Sequence, residues 1–180
     1  VQILWINLVS DGFPNLSLTI DPKRAEIMKE SPRSPNEHLV NRWMIALIGF
    51  VSFIAGLIAL ATFIVVYKLS GDLLLARSVT FLVLGLDSLT YVFSVRALIT
   101  PFWKSHLLRN KWLIIAVLVG LCLQVVPFAT PATRQFFGVT QLNSTWWLVA
   151  ATLSISTFFI IEIFKLFYFF RHRNNFDKKS

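Results

Sequence analysis
Apolar runs of membrane-spanning length alternate with short polar stretches along the chain. The clearest run extends from Trp43 to Tyr67, with no charged residue between Arg42 and Lys68. A helix needs about 20 apolar residues to cross the hydrocarbon core of a bilayer, so 43–67 predicts a span. The same reasoning predicts spans at 78–95, 112–127 and 146–170, the second of these shortened by Pro127 and Pro131, which stop helix propagation. A fifth apolar run, 1–20, opens the chain and is the most polar of the set. The connections are a loop at 21–42 carrying Pro22, Pro32 and Pro35, a turn at 68–77 with Ser70-Gly71-Asp72, a basic loop at 96–111, a polar turn at 128–145 and a basic tail at 171–180. The expected fold is all-α: a polytopic membrane helical bundle of about five transmembrane helices, four of which form a C-terminal membrane domain over 43–170. Gly49, Ser52 and Gly56 predict a small-residue face on the 43–67 helix for close packing, and Trp43 and Tyr67 predict interfacial anchors at its ends.

Composition agrees with a bilayer environment. Hydrophobic residues make up 56% of the chain and charged residues only 14%, against roughly 25% in soluble domains. The formal net charge of +8 does not point to nucleic acid, because the basic residues follow the membrane topology. If 21–43, 96–111 and the end of the last span with its tail face the cytoplasm, those segments hold five, four and five Lys/Arg. The other side then holds only Lys68, Arg77 and Arg134. The positive-inside rule selects this orientation, with the C-terminus cytoplasmic. The single cysteine, Cys122, excludes a disulfide framework and reads as a packing residue. His38, His106 and His172 fall in three separate segments and form no ligand cluster. No signal peptide is visible, and the chain opens on valine, as a truncated product would.

Intramembrane carboxylates carry the candidate chemistry. Placing one at bilayer depth costs about 2.5 kcal/mol or more, which makes it a functional-site hypothesis by default. In the first run Asn7, Ser10 and Asp11 stand at i, i+3 and i+4, one face of an α-helix. Gly12 and Pro14 follow, and the proline ring clashes with the carbonyl of Ser10. The prediction is a helix broken at Asp11, with freed carbonyls beside a carboxylate, an amide and a hydroxyl. Such an all-oxygen cluster suits a hard cation, and discontinuous helices near the midplane build ion sites in transporters. The pattern alone equally allows these groups to join helices by hydrogen bonds. Asp87 is the second carboxylate, read either as paired with Ser88, Tyr91 or another helix or as a further cation ligand. Glu162 and Lys165, at i and i+3, read as a local ion pair with the lysine snorkelling to the interface. Asn143-Ser144-Thr145 matches a glycosylation sequon, a short pattern with a high chance rate.

The run Asn7-Leu8-Val9-Ser10-Asp11-Gly12-Phe13-Pro14, then Leu18, Asp21-Pro22, Ile27-Met28 and Ser31-Pro32-Arg33-Ser34-Pro35 resembles the sixth transmembrane helix and following loop of P-type cation-transporting ATPases, most closely the calcium-pump branch. The resemblance continues more weakly to the end of the chain, over what would be helices six to ten. It implies that Asn7, Ser10 and Asp11 are ligands of the transported cation, with serine in place of the threonine usual in calcium pumps. It implies a cytoplasmic loop at 21–42 that meets a catalytic headpiece. Pumps with two calcium sites place an acidic residue in the third helix of this chain, and ungapped matching puts Gly85 there, with Asp87 two residues on. Two residues turn a helix by about 200°, so Asp87 points elsewhere.

Calcium takes six to eight oxygen ligands, more than the first helix offers, so the remainder are expected from helices outside this chain. The Asp-Lys-Thr-Gly-Thr phosphorylation motif of the family is absent, as is a Walker-type loop. The chain is therefore expected to carry no catalytic residues and to hydrolyse no ATP alone. ATP and magnesium belong to the missing headpiece. The expected partners are the remainder of a pump, its first five helices and cytoplasmic catalytic domains, together with the lipid bilayer. The alternatives are a stand-alone non-enzymatic membrane protein or assembly partner, and a pump for sodium, manganese or protons.

Overall fold
A computed structural model describes residues 1–20, 42–96 and 110–176. All but the last residue of the predicted loop at 21–42, most of the basic loop and residues 177–180 lie outside these. All regular structure among the described residues is helical. The first helix is composite: α1 (Gln2–Trp5), a π-helical segment (Ile6–Gly12) and α2 (Phe13–Thr19). Then follow α3 (Arg42–Ser70), α4 (Leu73–Arg96), α5 (Lys111–Ala129), α6 (Pro131–Phe137) and α7 (Ser144–Phe176). Four of these, α3, α4, α5 and α7, are long and apolar enough to cross a membrane.

The turn expected at 68–77 contracts to two residues. Gly71 has φ 67° and donates its N–H to the Tyr67 carbonyl, closing α3 with a left-handed residue. Asp72 then caps α4, its Oδ1 accepting from the N–H groups of Leu74 (2.8 Å) and Leu75 (3.1 Å). With both ends capped in adjacent residues, Leu73–Arg77 joins the helix. The turn expected at 128–145 holds α6. Thr130 and Thr133 form a reciprocal capping box, Pro131 takes the first turn, and Gly138 ends the helix at φ 61°. Asn143 of the sequon accepts from the Trp146 N–H (3.1 Å) at the start of α7.

The bundle is organised around α4. Ala76, Val79, Phe81, Leu82, Val83, Leu89 and Val92 are all buried. Toward one end, this helix packs with Val66, Phe128, Phe137, Val139 and Ala150, with Trp5 and Trp147 against them. Trp5 meets Phe137 edge to face (4.9 Å), as Phe128 meets Trp147 (5.3 Å). Toward the other end, Leu89 and Val92 pack on Leu113 and Val117 of α5. On α3 and α7, Leu47 meets Ile161, and Phe50 stacks on Phe164 at 3.8 Å. By contrast α3 is peripheral, with Ile45, Ile48, Phe53, Leu57 and Leu60 facing outward. Its Gly49 and Gly56 meet nothing within 4 Å, so the predicted small-residue face packs on no helix here. Cys122 likewise faces outward rather than packing inside.

Candidate functional site
Pro14 shapes the first helix without breaking it. Where the sequence predicts an interruption, Phe13 and Gly12 keep right-handed helical angles and the preceding turn widens into π geometry. A π turn closes at i→i+5 rather than i→i+4, and a Cβ built on Gly12 would meet the carbonyl of Asn7, five residues back, at 3.4 Å. Widening this turn moves backbone carbonyls away from the proline ring, which removes the clash an α turn would impose. It also redistributes the three predicted ligands. Asp11 is half-buried, Ser10 is buried, and Asn7 faces outward. The three thus differ in burial along the widened turn.

Three polar anchors hold the widened helix. At its start, the Gln2 side-chain Nε2 donates to the carbonyls of Phe137 (2.9 Å) and Gly138 (3.2 Å), which the end of α6 leaves open. At its end, Asn110 Nδ2 donates to the Ser17 carbonyl (3.1 Å). The same Asn110 caps α5, its Oδ1 accepting from Leu113 N–H at 3.0 Å. Midway, Asp11 Oδ1 accepts a short hydrogen bond from Ser88 Oγ and a long one from Tyr91 OH (3.5 Å). Ser88 and Tyr91 stand at i and i+3 on α4, so one face of that helix serves the carboxylate.

Asp87 is placed differently. One residue turns an α-helix by about 100°, and Asp87 accordingly faces α7 rather than the first helix. Ser88 and Tyr91, the neighbours that the sequence offers it, serve Asp11 instead. Asp87 lies near the hydroxyls of Ser154 and Thr157, but neither of its oxygens completes a hydrogen bond. Thr157 Oγ1 donates to the Leu153 carbonyl (3.0 Å). Gly85 is covered by Gln124 of α5, whose Nε2 would stand 2.2 Å from an added Cβ. A side chain at position 85 would push that amide aside.

The Glu162 and Lys165 pair is not at the interface. Lys165 is 3% exposed and does not snorkel. Its Nζ donates to Glu162 Oε1 (2.8 Å) and to the backbone carbonyl of Ser94 (2.9 Å) near the end of α4. Ser94 Oγ also donates to Glu162 Oε1. A cation against terminal helix carbonyls is favourable because those groups lack intrahelical partners and carry the negative end of the dipole. The missed signal was that α4 ends beside α7, which no spacing in either helix reveals.

Chemically, the two sides of α4 differ. Around Asp11 the described donors are neutral hydroxyls, and the Ser10 hydroxyl and both amide atoms of Gln124 are buried without partners. Among the described residues no three His, Cys, Asp or Glu side chains converge. The arrangement presents one carboxylate and several neutral oxygens, a partial shell for a hard cation.

The family model described as "Cation transporting ATPase, C-terminus" matches residues 1–167. "Calcium-transporting ATPase 1" of Bacillus cereus is 32% identical over 92% of this chain. "Calcium-transporting ATPase" of Bacillus subtilis is 33% identical over 89% of it. "Probable cation-transporting ATPase F" of Mycobacterium tuberculosis is 28% identical over 82%. The chain spans only 20% and 18% of the length of the two Bacillus relatives. With the family pattern matched over nearly its whole length, the protein belongs to the P-type cation-transporting ATPases, as part of their C-terminal membrane region.

Proposed function
We propose that this chain is the C-terminal membrane portion of an ATP-driven calcium pump and supplies part of the intramembrane calcium site. The observation that carries this reading is Asp11. Its carboxylate is held in a π-helical turn by Ser88 and Tyr91, and no lysine or arginine among the described residues pairs with it. An intramembrane carboxylate without a countercharge is costly and is relieved when a cation binds. Ser10, with a buried unpartnered hydroxyl one residue away, joins it as a neutral ligand. Asn7 faces outward beside Leu4 and Leu8, which supports a ligand role shared with helices of the pump beyond this chain. Asp87 takes a secondary part, as a carboxyl buried between α4 and α7 that is open to a second cation or to a proton.

The remaining partners are the first five helices and the cytoplasmic domains that bind ATP and magnesium and carry the phosphorylated aspartate. The distribution of basic residues supports a cytoplasmic C-terminus. Phosphorylation in the headpiece shifts the bundle between two states, and Asp11 binds calcium in one and releases it in the other. The calcium-transporting relatives support this ion over sodium, manganese or protons.

The test is Asp11→Asn in the full-length pump, with calcium-dependent phosphorylation from ATP as the readout. The expected result is loss of calcium-dependent phosphoenzyme while the protein still folds and inserts. Phosphoenzyme forming at the wild-type calcium concentration would remove Asp11 from the site.

A further inference from the structure
The Asp11 site has a neighbour on a helix that the sequence does not implicate. Gln124 lies in α5 amid an apolar run, with 0% exposure, and neither its Nε2 nor its Oε1 has a hydrogen-bond partner among the described residues. A buried amide left unpaired is destabilising, and buried polar groups in native proteins are nearly always answered. A leucine or methionine would fill the same space without that penalty.

The amide lies against Gly85, with Nε2, Cδ and Oε1 at 2.2, 2.5 and 2.8 Å from an added Cβ. A side chain at 85 would push the amide out of this position. Leu89 and Gly120 repeat the arrangement one turn along in the opposite sense, the leucine of α4 covering the glycine of α5. That second pair is pure packing and shows what the first would be if space filling were its purpose. Instead the first pair carries an amide.

Position 85 is one turn from Ser88, the residue that donates to Asp11. Residues three apart on a helix have Cβ atoms about 5–6 Å apart. The amide therefore lies within side-chain reach of the groove where the first helix, α4 and α5 meet. The π-helical segment that carries Asp11 and Ser10 packs against both α4 and α5, and the Ser10 hydroxyl is buried without a partner.

We propose that Gln124 is a further cation-binding residue of this chain, its Oε1 supplying a neutral oxygen to the calcium ion held at Asp11. This inference rests on the Asp11 reading above. Amide carbonyls are ordinary calcium ligands. In the unliganded arrangement the oxygen has no partner because the ion is its partner. Glycine at 85 leaves the space through which an amide from α5 reaches the site.

The experiment is equilibrium binding of radiolabelled calcium to the purified full-length pump, comparing wild type with Gln124→Met, Gln124→Glu and Asp11→Asn. Methionine matches the size of glutamine but offers a soft thioether, a poor calcium ligand. Gln124→Met is expected to raise the calcium Kd by about tenfold to a hundredfold. Gln124→Glu, with an oxygen at the same reach, is expected to match or tighten wild-type binding. Unchanged affinity in Gln124→Met, with binding lost in Asp11→Asn, would overturn the Gln124 assignment alone. Unchanged affinity in Asp11→Asn would overturn the site on which it rests. If Gln124→Met fails to fold, Gln124→Glu decides: a tenfold weaker Kd there would mean that the position tolerates only packing, not a calcium-facing oxygen.

Discussion
Two polar clusters flank α4, and they differ in completeness. Near the end of α4 that faces α7, Ser94, Glu162 and Lys165 bond one another: the lysine meets a carboxylate and a terminal carbonyl, and the serine hydroxyl meets the same carboxylate. Toward the first helix and α5, Asp11 receives only hydroxyl donors, while Ser10 and Gln124 keep unpartnered polar atoms. A closed cluster in a low-dielectric interior fixes geometry, because every departure exposes a charge. An open one has energy to gain from a ligand. The same helix is thus clamped near Ser94, while farther along it Asp87 toward α7 and the Asp11 neighbours toward the first helix and α5 keep unpartnered polar atoms.

The sharpest way to break this contrast is to open the closed cluster. Lys165→Met removes a buried cation that donates to both Glu162 and the Ser94 carbonyl. The expected loss is about 3–5 kcal/mol of stability, read as a lower temperature of thermal inactivation in detergent. Pairing it with Glu162→Gln removes the buried negative charge that the lysine met and should recover part of that loss. A single mutant as stable as the wild type would mean that the cluster does not clamp α4 to α7.

Smaller effects are expected on the open side, where donors tune the carboxylate. Ser88→Ala removes the short hydrogen bond to Asp11, a charged acceptor, worth about 1.5–3 kcal/mol. The lost donor should move the calcium concentration for half-maximal phosphorylation, with little change in thermal stability. Tyr91→Phe, whose contact is 3.5 Å long, should move it less. Equal shifts from the two substitutions would contradict the geometry that ranks them.

The spans were legible because length and apolarity decide them, and 43–67 and 146–170 fall within α3 and α7. Connections were less so. Ser70-Gly71-Asp72 marked 68–77 as a turn, yet caps at Gly71 and Asp72 confine it to those two residues and Arg77 rides on α4. The Thr130-Pro131 start and Thr133 of α6 were readable as a cap, but the segment is too polar and short to announce a helix by periodicity. Asp11 stood out from its cost alone. Its partners Ser88 and Tyr91 did not, because which helix lies against which is a tertiary fact. The π register was invisible for a related reason: Gly12 and Pro14 signal trouble for an α turn but not whether the chain breaks or widens. For Gln124 the available signal was a lone amide in the run from Trp112 to Val126, which needed the glycine opposite to acquire meaning.

The smallest expected effect bears on how the receptive side is held. Asn110 joins two helix ends with one side chain, capping α5 through Leu113 N–H and taking the Ser17 carbonyl at the end of the first helix. Asn110→Ala should cost about 1 kcal/mol through the cap alone. Asn110→Asp keeps an acceptor for Leu113 but loses the donor to Ser17, so it separates capping from tethering. If the tether matters to the site, Asn110→Asp should keep most of the stability that Asn110→Ala loses, yet weaken calcium binding as much. The carboxylate of Asp11 lies between this anchor and Gln2, and releasing one end lets the widened turn relax toward a geometry that Ser88 no longer reaches. Calcium affinity intact in both variants would mean that the π turn is fixed by Pro14 and its packing, with no need for a tether.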